Sequence, residues 1–257
     1  MKAWNIVVHS VGMLIRNAEQ VLKIGLLPLL IVCAVVYAIL SMGGFSMISL
    51  IDPEAMYEML KADEGFAYLS LAVIIYMLGF LWIVISWHRF VLLEEYPNRW
   101  LPPFRLGPVL AYVGRFLMIC LILGLFMFIV MFGLTSLGGI GSGGAVAVNL
   151  LYLLFMFVLS LAFYRFLPVL PAAAIEKPLK LSEAWAATNG ATSTLIVVVL
   201  FAGLVNFMLS LLIGTTSMLT PFLMWPSLLI VWMLQLFFNA SLMTTLYGHF
   251  VEGRSFD

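Results

Sequence analysis

Six long apolar runs constrain this chain more than any other feature. They cover about 24–50, 66–87, 108–135, 145–170, 192–219 and 226–250. Each is at least the about 20 residues that a helix needs to cross a hydrocarbon core about 30 Å thick. Inside such a core the backbone must satisfy its own hydrogen bonds, so runs of this kind fold as helices. The chain is 64% hydrophobic and 9% charged, against about 25% charged residues in an average soluble domain, which excludes a water-soluble globule. The expected fold is all-α: a six-helix integral membrane bundle forming one transmembrane domain over 1–257, with 1–22 as an interfacial helix. Lys plus Arg and Asp plus Glu number 12 each, so no basic excess points to nucleic acid as a partner. Two cysteines cannot build a disulfide framework. The first run passes Cys33, Tyr37 and Met42 without a small-x-small cleavage site, so the first span is expected to stay.

The cations sort by loop. With the N-terminus inside, Lys2, Arg16, Lys23, Arg89, Arg99, Arg105, Arg115, Arg165, Lys177, Lys180 and Arg254 all fall on the inner side, leaving Lys61 outside. Cytoplasmic loops accumulate Lys and Arg, which predicts both termini in the cytoplasm. Insertion alone explains most of that asymmetry. The first outer loop carries Asp52, Glu54, Glu58, Asp63 and Glu64, an acidic surface that a partner could also meet. Its Asp-Pro-Glu start predicts a short surface helix, because Asp caps well and Pro suits the first helical position.

The inner ends of the even spans read alike: Trp87-His88-Arg89-Phe90-Val91, Phe163-Tyr164-Arg165-Phe166-Leu167 and Tyr247-Gly248-His249-Phe250-Val251. This pattern suggests three helical-hairpin repeats, although convergence on the interface produces similar pentads. The expected role is anchoring, with aromatics at headgroup depth and a cation reaching outward to phosphate. A tryptophan precedes each odd span, at Trp4, Trp100 and Trp185. From Trp4 to Gln20 the apolar positions recur at helical spacing, the pattern of an interfacial amphipathic helix. Ser182 is the expected cap of a second such helix, over 183–188, whereas Pro97, Pro102, Pro103 and Pro108 predict an irregular middle connector. Candidate lipid or partner contacts are therefore Trp4, Arg16, Trp87, Arg89, Phe163, Arg165, Trp185, Tyr247 and His249.

No charged residue sits near the middle of a span, which argues against a charge-relay transporter. The neutral amides Asn206, Gln235 and Asn239 remain as a candidate intramembrane polar site. Hydrogen bonding between helices is their plainest role, and a polar solute or headgroup site is the alternative. Ala240, Thr244 and Gly248, with Ser210 and Gly214, offer small surfaces for close helix approach. His9, His88 and His249 all fall toward the inner interface without metal-ligand spacing and are expected to hydrogen-bond there. Cys33 and Cys120 are expected packing residues. The glycines at 139, 141 and 144 satisfy GxGxxG formally, but they join two spans and lack a preceding strand. Glu94-Glu95 beside His88-Arg89 suggests local ion pairs at a helix end. No catalytic residue, cofactor or metal is assigned, and an enzyme is the least favoured class.

The stretch Arg165-Phe-Leu-Pro-Val-Leu-Pro-Ala-Ala-Ala-Ile-Glu-Lys-Pro-Leu-Lys-Leu-Ser-Glu-Ala-Trp-Ala-Ala-Thr-Asn-Gly resembles the segment between late spans of bacterial polytopic proteins similar to the membrane domain attached to some glycerophosphodiester phosphodiesterases. The resemblance covers the six-span plan and this segment. It implies a bacterial inner-membrane protein concerned with lipids or with supporting another membrane component. No soluble stretch is long enough for the phosphodiesterase domain, so hydrolysis is not implied. The leading functional expectation is a non-enzymatic protein acting through membrane lipids or another membrane protein in an accessory, assembly or lipid-handling role. Its rival is a transporter or channel for a neutral or amphipathic solute passing the three amides.

Overall fold

The computed structural model describes residues 2–46, 52–61, 64–97, 101–136, 145–219 and 224–255. Among them the structure is helical and contains no strand: α1 (Lys2–Arg16), α2 (Ala18–Met42), α3 (Pro53–Lys61), α4 (Gly65–Leu93), α5 (Leu106–Ser136), α6 (Ala145–Phe166), α7 (Val169–Ala174), α8 (Leu181–Ala187), α9 (Thr192–Leu219) and α10 (Met224–Phe250). Six helices are long and apolar enough to cross a membrane. The chain is an all-α, multi-pass integral membrane bundle. The glycine run 138–144, Trp100 and the end of the first expected span lie outside the described residues.

Sequential long helices pair antiparallel: α2 with α4, α5 with α6, and α9 with α10. In the first pair, Gly79 of α4 lets Val32 of α2 sit against its backbone. Gly25 of α2 likewise accommodates the ring of Phe237 from α10. Neither glycine belongs to the small-residue stripes expected from sequence. Gly214, which does, has open space where a side chain would be.

Four local features differ from expectation. The amphipathic N-terminal helix stops at Arg16, because Asn17 folds its amide back to the Met13 carbonyl at 2.8 Å and interrupts the run; Glu19 and Gln20 belong to α2. The fourth run divides at Leu167-Pro168 into α6 and α7, and every residue of α7 is buried. The cap of α8 lies at Lys180 rather than Ser182, because Glu183 reaches back to accept the Lys180 N–H at 2.9 Å. Cys120 is exposed, so it does not pack the interior. The surface helix α3 forms as expected, with Asp52 Oδ1 accepting the Glu54 N–H at 3.1 Å.

Burial is uneven along the bundle. The main core is built from α1, the start of α2, the last third of α4, the start of α5, the α7–α8 segment, the first part of α9 and the last part of α10. All of these lie at one end, here termed the basic end because Arg89, Arg105, Arg165 and Arg254 cluster there. A small satellite core of Leu40, Phe45 and Ala72 joins α2 to α4 toward the far end. In α10 the apolar stretch is 44% buried, whereas in α5 it is 6% buried.

Candidate functional site

At the basic end, one stretch of α10 bonds to three other helices. Ser241 Oγ accepts the Trp87 indole N–H at 2.9 Å, and Thr245 Oγ1 accepts the Ser10 hydroxyl at 3.0 Å. The Tyr112 hydroxyl of α5 approaches Met243 Sδ at 3.7 Å. Thr244 donates to the Ala240 carbonyl at 2.7 Å, so its oxygen is left to accept from His88 Nδ1 at 2.8 Å. That network selects the Nδ1–H tautomer of His88. Its Nε2 is buried without a hydrogen-bond partner, and its ring stacks on Tyr112 at 5.9 Å. Polar pairing of this kind fixes the rotation of α10 in a setting where apolar contact alone is poorly directional. The expectation of an interfacial histidine is thus corrected for His88, which is enclosed among α4, α5 and α10. The likeness of Thr244 to a packing residue hid this role.

Arg89, the next residue of α4, is also buried. Its Nε and Nη2 grip the Glu95 carboxylate at 2.9 and 2.6 Å, while Nη1 donates to the Ala174 carbonyl and to Glu176, both at 3.0 Å. It therefore ties α4 to the connector that follows it and to the C-terminal end of α7. A bidentate guanidinium–carboxylate pair is among the stronger polar contacts available to a protein. The Arg89 hydrogen bond is the main reason that the Glu95 carboxyl is held below its ordinary value. Glu94 and Glu176 both adopt left-handed backbone conformations, with φ of 55° and 61°. Non-glycine residues rarely do so, and here the strain falls on both sides of one clamp.

Arg165 is buried as well. It donates to the Thr188 carbonyl at 3.3 Å and to Thr192 Oγ1, and its guanidinium stacks 4.7 Å from the Trp185 ring. It closes the excursion from α6 through α8 to α9. The outward-reaching cations expected from the repeated pentads are thus corrected: Arg89 and Arg165 turn inward, because each finds carboxylate or carbonyl acceptors within the fold. Trp87, expected as an interfacial anchor, is fully buried against Phe90 and Phe237. Tyr247 is buried, Phe163 is half-buried beside Tyr164, and His249 faces the Arg254 carbonyl at 3.4 Å.

Three expected contacts remain at the surface. Trp4 is 56% exposed while meeting Phe201 edge-on, Trp185 is 44% exposed, and Arg16 is exposed at the end of α1. Burial, helped by Arg16, holds His9 below the ordinary imidazole value.

The three amides do share a face. Asn206 and Asn239 exchange hydrogen bonds at 3.2 and 3.0 Å, and Gln235 donates to Ser210 Oγ at 3.0 Å and to the Asn206 carbonyl at 3.2 Å. These hydrogen bonds join α9 to α10.

A cleft of about 530 Å³ opens beside Arg89 between α4, the proline-rich connector and the start of α5. Trp82, Ser86, Tyr96 and Pro102 wall it, and Arg105 stands at its rim. The Trp82 indole N–H donates to the Pro102 carbonyl at 3.1 Å and pins the connector in place. Sequence reasoning missed this cleft. The prolines signalled an irregular connector but not where it folds back. Among the described residues no three His, Cys, Asp or Glu side chains come together as a metal site. No protein-family model, curated protein or solved structure matches this chain.

Proposed function

We propose that the protein is a non-enzymatic membrane protein that works through contacts with membrane lipids at its basic end, in a lipid-handling or accessory role. That end is assigned to the cytoplasm of a bacterial inner membrane, with both termini inside, on the strength of the cation asymmetry and the segment resemblance. The observation that carries the reading is the division of labour among the ionisable groups. Arg89, Arg165, Glu95 and Glu176 are engaged in holding the fold, while the basic end presents outward the rings of Trp4 and Trp185, exposed cations that include Lys2, Arg16 and Lys180, and the Arg105-rimmed cleft. Aromatic rings with an adjacent cation match the headgroup layer of a bilayer. The amides, which bond α9 to α10, give the solute-channel reading no comparable support.

The test is mild extraction of a tagged chain from its native membrane, followed by mass spectrometry of what remains bound. Co-purification of defined phospholipids at constant ratio to protein is the expected result. A stoichiometric protein with no retained lipid would replace this reading with an assembly role. The orientation is checked separately in a background lacking Cys33 and Cys120. A membrane-impermeant maleimide added to intact cells should label Glu58→Cys and leave Ser255→Cys unmodified.

A further inference from the structure

We infer that the cleft beside Arg105 is a binding site for the phosphate headgroup of an inner-leaflet phospholipid. The inference rests on the lipid-contact reading above and assigns it a place and a ligand chemistry.

Depth is the first argument. The 29 residues of α4 span about 43 Å at 1.5 Å per residue, about 13 Å more than the hydrocarbon core. Starting from Gly65, the core is used up after about 20 residues, which places Trp82 to Ser86 at its inner boundary and Arg89 with Glu95 in the headgroup layer. Trp82 and Ser86 from that boundary line the cleft together with Arg89, Glu95 and Arg105.

The second argument is the unequal satisfaction of the two cations. Arg89 is engaged on three sides by Glu95, Glu176 and the Ala174 carbonyl. Among the described residues Arg105 reaches only Glu95 Oε2, at 3.4 Å, and that oxygen already accepts the Arg89 Nε–H at 2.9 Å. A contact at 3.4 Å is a weak hydrogen bond, so Arg105 keeps N–H groups for an external acceptor. A guanidinium at a membrane surface matches the geometry of a phosphodiester, which presents two oxygens to a planar fork.

The walls supply the third argument. The Trp82 N–H is occupied by Pro102, so the ring offers an apolar face, and Pro97, Leu101 and Pro103 extend that surface. Leu101, Phe104 and Leu106 beside the cleft are exposed apolar side chains, as a lipid-facing mouth requires. A volume of about 530 Å³ suits a phosphate with its glycerol rather than two complete acyl chains, which would remain in the bilayer.

The experiment uses the full chain purified in detergent and titrated with phosphatidylglycerol, with occupancy read by native mass spectrometry. Arg105→Gln should weaken the tightest site about tenfold, the scale of one charge-assisted hydrogen bond. Ser86→Leu fills the cleft without changing its charge and should weaken the site as well. Lys180→Gln removes a cation from the same end but outside the cleft, and should bind as the unaltered protein does. Both cleft variants must elute as the unaltered protein does; if Arg105→Gln misfolds, Ser86→Leu decides. Equal affinity in all four proteins would overturn the inference while leaving the lipid-contact reading standing, and absence of any retained lipid would overturn both. Displacement of the lipid by inorganic phosphate as effectively as by added phosphatidylglycerol would overturn the lipid source in favour of a free anion.

Discussion

At the residue scale, the decisive side chain is Arg89. Its partners come from three distances along the chain: Glu95 is 6 residues away, Ala174 is 85 and Glu176 is 87. The nearest was legible, because Glu94-Glu95 beside His88-Arg89 already suggested a helix-end ion pair. Glu176 was not, since nothing in its neighbourhood marks it as facing α4. The clamp makes a pH prediction. The Glu95 carboxyl is held below 4.5 when folded and returns to its ordinary value when unfolded. Its contribution is therefore complete above that ordinary value and is lost as pH falls through the depressed one. Glu95→Gln should destabilise the protein at neutral pH by about 1–2 kcal/mol, less than a fully buried pair because Glu95 is partly exposed. The gap to the unaltered protein should close on acidification below the ordinary carboxylate range. Unfolding curves in one detergent across pH check this, and a gap independent of pH would show that the carboxylate is not the stabilising species.

At the element scale, helix positions followed from apolar run length, and the start and end of the fifth span coincide with α9 at Thr192–Leu219. The breaks followed from side chains acting locally. Asn17 ended α1, and Glu183 moved the start of α8, by hydrogen bonds that apolar periodicity does not register. Helix pairing was less legible, because in a chain with 20 glycines the one that permits close approach is identified only by what lies opposite. At Gly79 a Cβ would stand 2.2 Å from Val32 Cγ2, whereas at Gly203 it would meet nothing within 4 Å. Gly79→Leu should cost about 1–3 kcal/mol through overpacking, and Gly203→Leu should leave stability within about 0.5 kcal/mol. Side-by-side denaturation of the two variants reads the contrast. Equal losses would mean that α2 and α4 can separate without penalty.

At the scale of the whole molecule, the asymmetry between the ends governs both stability and function. The basic end holds the main core, the polar bonds around α10 and the Arg89 clamp, while the far half of α5 faces outward on most sides. In a bilayer that outward surface is solvated by lipid, so packing rather than burial distinguishes the two halves. Leu195→Ala, at a fully buried position of α9, should cost about 2–3 kcal/mol through the cavity it leaves. Leu121→Ala, at a position 73% exposed, should change stability by less than about 0.5 kcal/mol. Unfolding of both variants in the same micelle decides, and comparable losses would place hidden packing on the far half of α5.

The sequence by itself determined the all-α class, the six spans and the segregation of cations to one end. Those properties depend on composition and run length, and a bilayer acts on them without reference to partners. Only the tertiary structure decided that Arg89 and Arg165 turn inward, that His88 and Trp87 are enclosed, that the three amides bond to one another, and that a cleft opens beside Arg105. These depend on which helix faces which and at what rotation. Long spans that are apolar on every side carry little periodic signal for that rotation, so it is set by contacts between residues far apart in the chain.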